Sequence, residues 1–336
     1  MAAWGEAPLF MAKSTAIRRR KSWWSFCSGR RLSMAGGGDW SHQRERSNLA
    51  TLRLMAWIAL HLGRPVARAL LVPITWYFLL FSPGPKRQTR RYLRRALGRE
   101  PGWMDHYRQV HAFASVVLDR VYLARGSMAQ FDLRVDGGDL VHQLLAEGRG
   151  AFMLGAHIGS FEVLHAAGKG EQLPVAMVMY PDNARLIQTV LQAVAPQSAL
   201  EIIAIGRPGS TLAIRDWLDR GGLIGVLGDR LPPVPDRGHA RQVPFLGTPA
   251  AFSDGPLRLA QVLRRKVMFM VGLYHGGNRY EVRFDLLADF SQAPADPAAR
   301  EAQLQAALAD YVARLEALCR ESPYNWFNFH DFWNED

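Results

Sequence analysis

The stretch AFMLGAHIGSFEVLHAAG, residues 151–168, decides the fold of this chain. It opens with an apolar run that ends in Gly155-Ala156, passes through His157 and Gly159-Ser160, and continues as a helical pattern. A continuous apolar run of this length is typical of a strand covered on both faces of a sheet. In open α/β sheets the reactive groups gather at the carboxyl ends of the strands, where His157 lies. The stretch therefore predicts a strand, a turn that carries a histidine, and a helix.

Strand-like runs and helical patterns alternate on both sides of this stretch. The predicted strands are 131–135, 150–155, 175–179, 202–205, 223–227 and 267–273. The predicted helices include 103–125, 140–147, 183–195, 211–220 and 297–319. This alternation predicts an α/β fold in which helices flank a mostly parallel central sheet. An N-terminal membrane-associated helical segment is predicted to precede this sheet.

His157 and Glu162 are the pair in this stretch that can perform acid–base chemistry. Five residues correspond to a rotation of about 140° on a helix, so the pair can meet only if His157 lies on the turn. Gly159 permits such a bend, and Ser160 is a good helix cap. The carboxylate would then hold one ring nitrogen, and backbone N–H groups at the helix start would stabilise an oxyanion. An isolated H-x4-E pattern is more often a histidine that caps a loop and a glutamate in a first helical turn.

Further blocks accompany this motif in a fixed order. They are MYPDNARLIQ at 179–188, GLIGVLGDR at 222–230, VPFLGTPAAFSDGPLRLA at 243–260 and PYNWFNFHDFW at 323–333. Together with the strand and H-x4-E, they resemble the lysophospholipid acyltransferase superfamily. The branch they resemble most is the bacterial lipid A biosynthesis (late acyltransferase) group. The resemblance runs from about Trp40 to the C-terminus.

This resemblance implies an acyltransferase in which His157 is the general base and Glu162 is its partner. The implied donor is an acyl carrier protein thioester or acyl-CoA, and the implied acceptor is a hydroxyl of a lipid or glycolipid. A thioester is already activated, so we expect no metal and no other cofactor. The candidate substrate-binding residues are Gly159, Ser160, Asn183, Arg185, Asp229 and Arg230.

Two of these candidates concern anionic groups of the substrate. Arg230 suits a phosphate clamp, because the guanidinium fork matches oxyanions. Tyr180 stands where lipid A enzymes usually carry an arginine, and Arg185 is a possible replacement. This departure weakens a lipid A precursor as the acceptor but leaves the acyl-transfer chemistry unchanged.

The N-terminal third divides into two regions before the acyltransferase domain at 101–336. Residues 1–38 contain a basic run and are predicted to be a disordered basic extension, with an anchor built on Trp23 and Trp24 as the alternative. Residues 39–100 are predicted to be membrane-associated, because the uncharged stretch 69–82 is followed by a basic helix at 85–99. The alternatives are a pair of buried core helices and a solvated charged face. We expect the protein to be located at the bacterial inner membrane, with its active site on the cytoplasmic side.

The composition and the net charge restrict the kinds of binding partner that this chain is expected to have. The 336 residues are 49% hydrophobic, which excludes disorder throughout, and the net charge of +11 favours an anionic partner. The basic residues concentrate beside the apolar segment and no nucleic-acid motif occurs, so an anionic membrane surface is expected and nucleic acid is not. The alternatives left open are a thioesterase-like hydrolase and a non-catalytic basic membrane-binding protein.

Overall fold

The computed structural model describes residues 49–81, 83–170, 173–180, 201–231, 239–292 and 294–333. These residues lie in one unit, Gly38–Asp336. The predicted extension at 1–38 and the predicted helix at 183–195, with Asn183 and Arg185, lie outside the described residues.

Helices α1 to α3 precede the sheet. They are α1 (Leu49–Phe81), α2 (Pro83–Leu97) and α3 (Trp103–Ala124). α1 bends at Gly63, where a φ of 80° departs from helical geometry. Glycine has no Cβ and adopts this conformation at little cost. α2 and α3 confirm the helices predicted at 85–99 and 103–125.

In the described part of the chain, seven strands form one sheet. They are β1 (Asp132–Asp136), β2 (Ala151–Gly155), β3 (Val175–Met179), β4 (Glu201–Ala204), β5 (Leu223–Leu227), β8 (Lys266–Tyr274) and β9 (Arg279–Asp289). Their order in the sheet is β1-β9-β8-β2-β5-β3-β4. Strands β8, β2, β5, β3 and β4 run parallel, β9 is antiparallel to β8, and β1 is parallel to β9. The α/β fold with a mostly parallel sheet is confirmed.

Helices cover both faces of this sheet. They are α4 (Gly138–Ala146), α5 (Phe161–Gly170), α6 (Ser210–Asp219), α7 (Gly255–Val262) and α8 (Pro297–Glu321). α4 and α5 share a cluster of buried side chains with one face, including Met153 and Met270. α8 and the C-terminal tail share a larger cluster with the other face, including Tyr311 and Trp326.

Three strands were not predicted. A two-stranded antiparallel hairpin, β6 (Ala240–Phe245) and β7 (Thr248–Ser253), stands apart from the main sheet. In β6 exposed and half-buried residues alternate, and β9 mixes charged with apolar residues. Such strands lack the continuous apolar run that marks most of the predicted strands, because only part of each strand faces the core.

The outer face of α1 is apolar and exposed. Every fourth side chain of its second half is buried against the protein, namely Ala67, Leu71, Thr75 and Leu79. Large side chains beside them are exposed, including Leu80 at 61% and Phe81 at 62%. The alternative of buried core helices is therefore wrong for the second half of α1. Among the described residues, one segment, His61–Phe81, is long and apolar enough to cross a membrane.

Polar contacts attach α1 to the rest of the fold. Arg64, next to the bend, donates two hydrogen bonds to the carboxylate of Asp119 on α3, at 2.8 and 2.9 Å. The hydroxyl of Tyr280 on β9 donates to the same buried carboxylate at 2.8 Å. A buried charge is stable only when it is paired and hydrogen-bonded, and Asp119 meets both conditions. The bend in α1 is thereby tied to both α3 and the sheet.

Candidate active site

Strands β2 and β5 bring His157 and Asp229 to the same position. The two strands are parallel neighbours, and Gly155 at the end of β2 pairs with Leu227 at the end of β5. His157 and Asp229 each follow their strand end by two residues. Because the register is even, the two side chains meet at the carboxyl edge of the sheet, where α/β enzymes place their reactive groups.

Asp229 holds the histidine by two hydrogen bonds. The imidazole Nδ1 of His157 lies 2.7 Å from Oδ1 of Asp229, and the backbone N–H of His157 donates to Oδ2 at 3.0 Å. The indole N–H of Trp326 donates to the same Oδ2 at 2.9 Å. Asp229 is 1% exposed, whereas the side chain of His157 is 30% exposed. The carboxylate is therefore fixed inside the protein and the imidazole faces outward.

The electrostatics define the protonation states of the pair. Burial lowers the pKa of His157 below its ordinary value of 6.5, with Arg230 and Arg120 adding to the effect and Asp229 opposing it. Burial alone would raise the pKa of Asp229, but the His157 ring, Arg230 and Trp326 together hold it well below its usual range. At neutral pH the carboxylate is ionised and the imidazole is neutral. A carboxylate can only accept, so Nδ1 carries the proton and Nε2 keeps its lone pair.

The C-terminal tail forms one wall of the site. Trp326 pairs with Ile158 in an antiparallel bridge, and the N–H of Phe327 donates to the carbonyl of His157 at 2.8 Å. Gln109 on α3 donates to the carbonyl of Trp326 at 2.7 Å. The C-terminal tail thus fixes the backbone of the turn that carries His157.

The turn after His157 depends on two glycines that approach closely. Gly159 has a φ of 64°, and a Cβ added there would lie 1.9 Å from the carbonyl oxygen of Gly272 on β8. The N–H groups of Gly159 and Ser160 donate to the carbonyls of Asn325 and Gly272, at 2.8 and 2.7 Å. These two donors, predicted to contact substrate or oxyanion, are already used to hold the turn. Ser160 also caps α5, since its hydroxyl accepts from the N–H of Val163 at 3.2 Å.

Glu162 does not hold the imidazole, and that part of the prediction is wrong. Its carboxylate pairs with Arg120 on α3 at 2.7 Å and accepts a hydrogen bond from the hydroxyl of Ser160 at 3.2 Å. The carboxylate bonded to His157 is Asp229, which was predicted only to lie near a substrate. Glu162 is in the first turn of α5, as expected. It is oriented there by Ser160 and Arg120.

Arg230 lies beside the pair. It donates through Nη2 to the carbonyl of Phe327 at 3.3 Å, and its charge acts on both His157 and Asp229. Burial lowers the pKa of its guanidinium below the ordinary value, and Asp229 opposes this effect. The guanidinium therefore adds positive potential next to the imidazole of His157, which suits an anionic group bound there.

Sequence reasoning missed the roles of Trp326 and Gln109 and misassigned that of Asp229. For Asp229 a signal existed, because the blocks ending Gly155-Ala156-His157 and Leu227-Gly228-Asp229 have the same offset from their strand ends. Using that signal requires knowing that β2 and β5 are neighbours. Trp326 and Gln109 carry no local signal of a role in the site.

The parallel sheet, with its histidine–carboxylate pair at the strand ends, is the architecture of a lysophospholipid-acyltransferase-like α/β enzyme. The model of the bacterial lipid A biosynthesis acyltransferase family matches residues 39–335, so the chain belongs to this family and is an acyltransferase of lipid biosynthesis. No curated protein matches the chain. The resemblance inferred from the sequence blocks is confirmed. The family implies an acyl donor and a lipid acceptor.

Proposed function

We propose that this chain transfers a fatty acyl group from an acyl carrier protein thioester or acyl-CoA to a hydroxyl of a lipid or glycolipid. His157 is the general base, and Asp229 orients it. The observation that supports this most directly is the 2.7 Å contact between Nδ1 of His157 and Oδ1 of Asp229. It leaves Nε2 on a partly exposed ring to accept a proton.

The reaction follows from that arrangement. Nε2 of His157 removes the proton from the acceptor hydroxyl as its oxygen attacks the thioester carbonyl carbon. The C=O electrons move to the oxygen and form a tetrahedral oxyanion. When the intermediate collapses, the C–S bond breaks, and the departing thiolate takes the proton from Nε2. Asp229 stabilises the imidazolium that exists between the two proton transfers. No metal or organic cofactor is required by these steps.

Positive charge next to the base supports anionic substrates. Arg230 is the proposed clamp for a phosphate or for the developing oxyanion. The ion pair of Arg120 with Glu162 is 44% and 29% exposed, so we propose that it lines the entrance to the base. Asn183 and Arg185 remain proposed substrate contacts.

The apolar face of α1 supports attachment to the membrane in which the acceptor resides. α2 supplies basic residues next to it, of which Arg87 is exposed. Two others turn inward, because Arg91 pairs with Asp331 at 3.4 Å and Arg95 lies over the ring of Trp333 at 4.3 Å. We propose that α1 inserts into the cytoplasmic leaflet of the bacterial inner membrane. Such a position would give the site access both to cytoplasmic acyl donors and to membrane lipids.

The experiment is mass spectrometry of lipids from cells that produce the wild-type chain, His157→Ala, or neither. A lipid heavier by one acyl chain is expected with the wild type and not with His157→Ala. An exposed histidine of α4 offers the matched control, so His142→Ala should yield the same product as the wild type. The mechanism fails if folded His157→Ala makes that lipid. Free fatty acid without a new lipid would indicate the thioesterase-like hydrolase instead.

A further inference from the structure

The C-terminal tail presents alternate side chains to opposite sides. The rings of Phe327 and Phe329 both contact Phe113 on α3, with centroids 5.3 and 5.2 Å apart. Trp326 points the other way and donates to Asp229. His330 lies where burial, together with the charges of Arg230 and His157, lowers its pKa to about 4. This period of two is that of an extended segment, and it puts residue 328 on the same side of the tail as Trp326, whose indole reaches Asp229.

Asn328 is the residue at that position, and its side chain has no partner. It is 2% exposed, yet neither Nδ2 nor Oδ1 forms a hydrogen bond with any residue that the structure describes. Buried amides almost always have partners, since an unsatisfied one destabilises the fold. Asn325, three residues earlier, follows that rule: its amide accepts from the N–H of Tyr274 at 2.8 Å and donates to the carbonyl of Tyr274 at 3.1 Å.

The residue before Asn328 is bonded to both His157 and Arg230. The preceding residue, Phe327, donates its N–H to the carbonyl of His157 at 2.8 Å and accepts from Arg230 at 3.3 Å. Asn328 therefore follows directly on a residue whose N–H is bonded to the backbone of the general base and whose carbonyl is bonded to the guanidinium. An amide donor at this place is surrounded by protein and adjacent to positive charge, which is the environment that strengthens a hydrogen bond to an anion.

We infer that Asn328 is a catalytic residue whose Nδ2 donates a hydrogen bond to the oxyanion of the tetrahedral intermediate. The inference rests on the proposed function. Acyl transfer needs a hydrogen-bond donor for that oxygen beside the positive charge of Arg230, and the N–H groups of Gly159 and Ser160 already donate to carbonyl oxygens. Asparagine side chains are among the groups that form oxyanion holes. The amide lies unsatisfied in the free protein and gains its partner when the intermediate forms.

The test compares three variants of the full-length chain in detergent. Asn328→Leu keeps the volume and removes the donor, and Asn328→Asp keeps the shape and replaces the donor with an acceptor. Asn325→Leu is the matched control, a buried asparagine whose amide is satisfied. The acceptor is a lipid extract from producing cells. The probe is whichever of palmitoyl-CoA and palmitoyl-acyl carrier protein the wild type uses faster, and released thiol and acylated lipid are both measured.

Asn328→Leu should lower kcat about 100-fold and change KM for the donor by less than about threefold. Its thermal midpoint should equal or exceed that of the wild type, because an unsatisfied amide has been removed. Asn328→Asp should lose at least as much activity, since its charge repels the oxyanion. Asn325→Leu should lower the thermal midpoint, because the Tyr274 peptide groups lose their partners.

Wild-type kcat in Asn328→Leu would overturn the inference and leave the proposed function standing. So would a loss of activity that merely follows a lowered thermal midpoint, as in the control. A wild-type chain that transfers from neither donor, or a fully active His157→Ala, would instead contradict the proposed function, and the inference with it.

Discussion

Replacing Asp229 with asparagine removes a charge from a side chain that is 1% exposed and preserves its shape. The native carboxylate accepts from Nδ1 of His157 through Oδ1, and from the backbone N–H of His157 and the indole of Trp326 through Oδ2. Asparagine has one accepting atom. If its oxygen faces the ring, its NH2 opposes two N–H donors. If it is flipped, the NH2 faces Nδ1 and the ring must carry its proton on Nε2, where the base needs a lone pair.

The size of the effect follows from the lost attraction. Two unit charges about 4 Å apart in an effective dielectric of about 20 attract by about 4 kcal/mol. This attraction stabilises the imidazolium of His157 during proton transfer, so its loss should slow the reaction about 1000-fold. Each buried N–H left opposite an NH2 should also lower the free energy of unfolding by about 1–3 kcal/mol.

The assay is the initial rate of acyl transfer as a function of pH, with Glu162→Gln as the comparison. In the wild type, kcat/KM should fall on the acid side with a midpoint below 6.5, because the pKa of His157 is lowered and only the neutral ring accepts a proton. Asp229 raises the pKa of His157, so in Asp229→Asn this midpoint should move to still lower pH. Glu162→Gln should lose less activity and leave the midpoint where it is.

Two results would refute this reasoning. One is a folded Asp229→Asn chain whose rate is within about threefold of the wild type. The other is a shift of the acid limb in Glu162→Gln without a shift in Asp229→Asn, which would return the orienting role to Glu162. Circular dichroism and thermal unfolding establish whether each variant is folded.

Three further perturbations test the support of the site and its membrane attachment. Trp326→Phe keeps an aromatic ring but removes the indole hydrogen bond to Asp229. The rate of acyl transfer should fall about tenfold, and the free energy of unfolding measured by calorimetry should fall by about 1 kcal/mol. An unchanged rate and an unchanged free energy of unfolding would show that this hydrogen bond supports neither activity nor stability. Gly159→Ala should fail to fold or unfold at a much lower temperature, since its Cβ would lie 1.9 Å from the oxygen of Gly272, and a native melting curve would contradict the close approach. Leu80→Ser combined with Phe81→Ser should reduce flotation with anionic liposomes while leaving the melting temperature unchanged, and undiminished flotation would show that this end of α1 is not inserted.

The strands β2, β3, β5 and β8 were predictable because each is covered on both faces and is apolar throughout. The hairpin β6–β7 and strand β9 were not, because their mixed composition resembles a loop. The exposed face of α1 was not predictable either, since the sequence of an apolar helix is similar whether protein or lipid covers it. His157 was predictable because its place at a strand end is a local property.

The carboxylate that bonds to His157, in contrast, could not be predicted from the sequence. Glu162 is five residues away in sequence, and chain proximity favoured it. Asp229 is 72 residues away and meets the ring only because β2 and β5 are parallel neighbours in an even register. Trp326, which donates a hydrogen bond to Asp229, lies a further 97 residues along the chain. The sequence by itself determined the family, the α/β architecture and the place of His157 at a strand end, since these depend on local patterns and ordered blocks. Only the tertiary structure decided which carboxylate is bonded to His157 and which backbone donors of the turn are already used, because strand order and register are set by packing across the whole sheet.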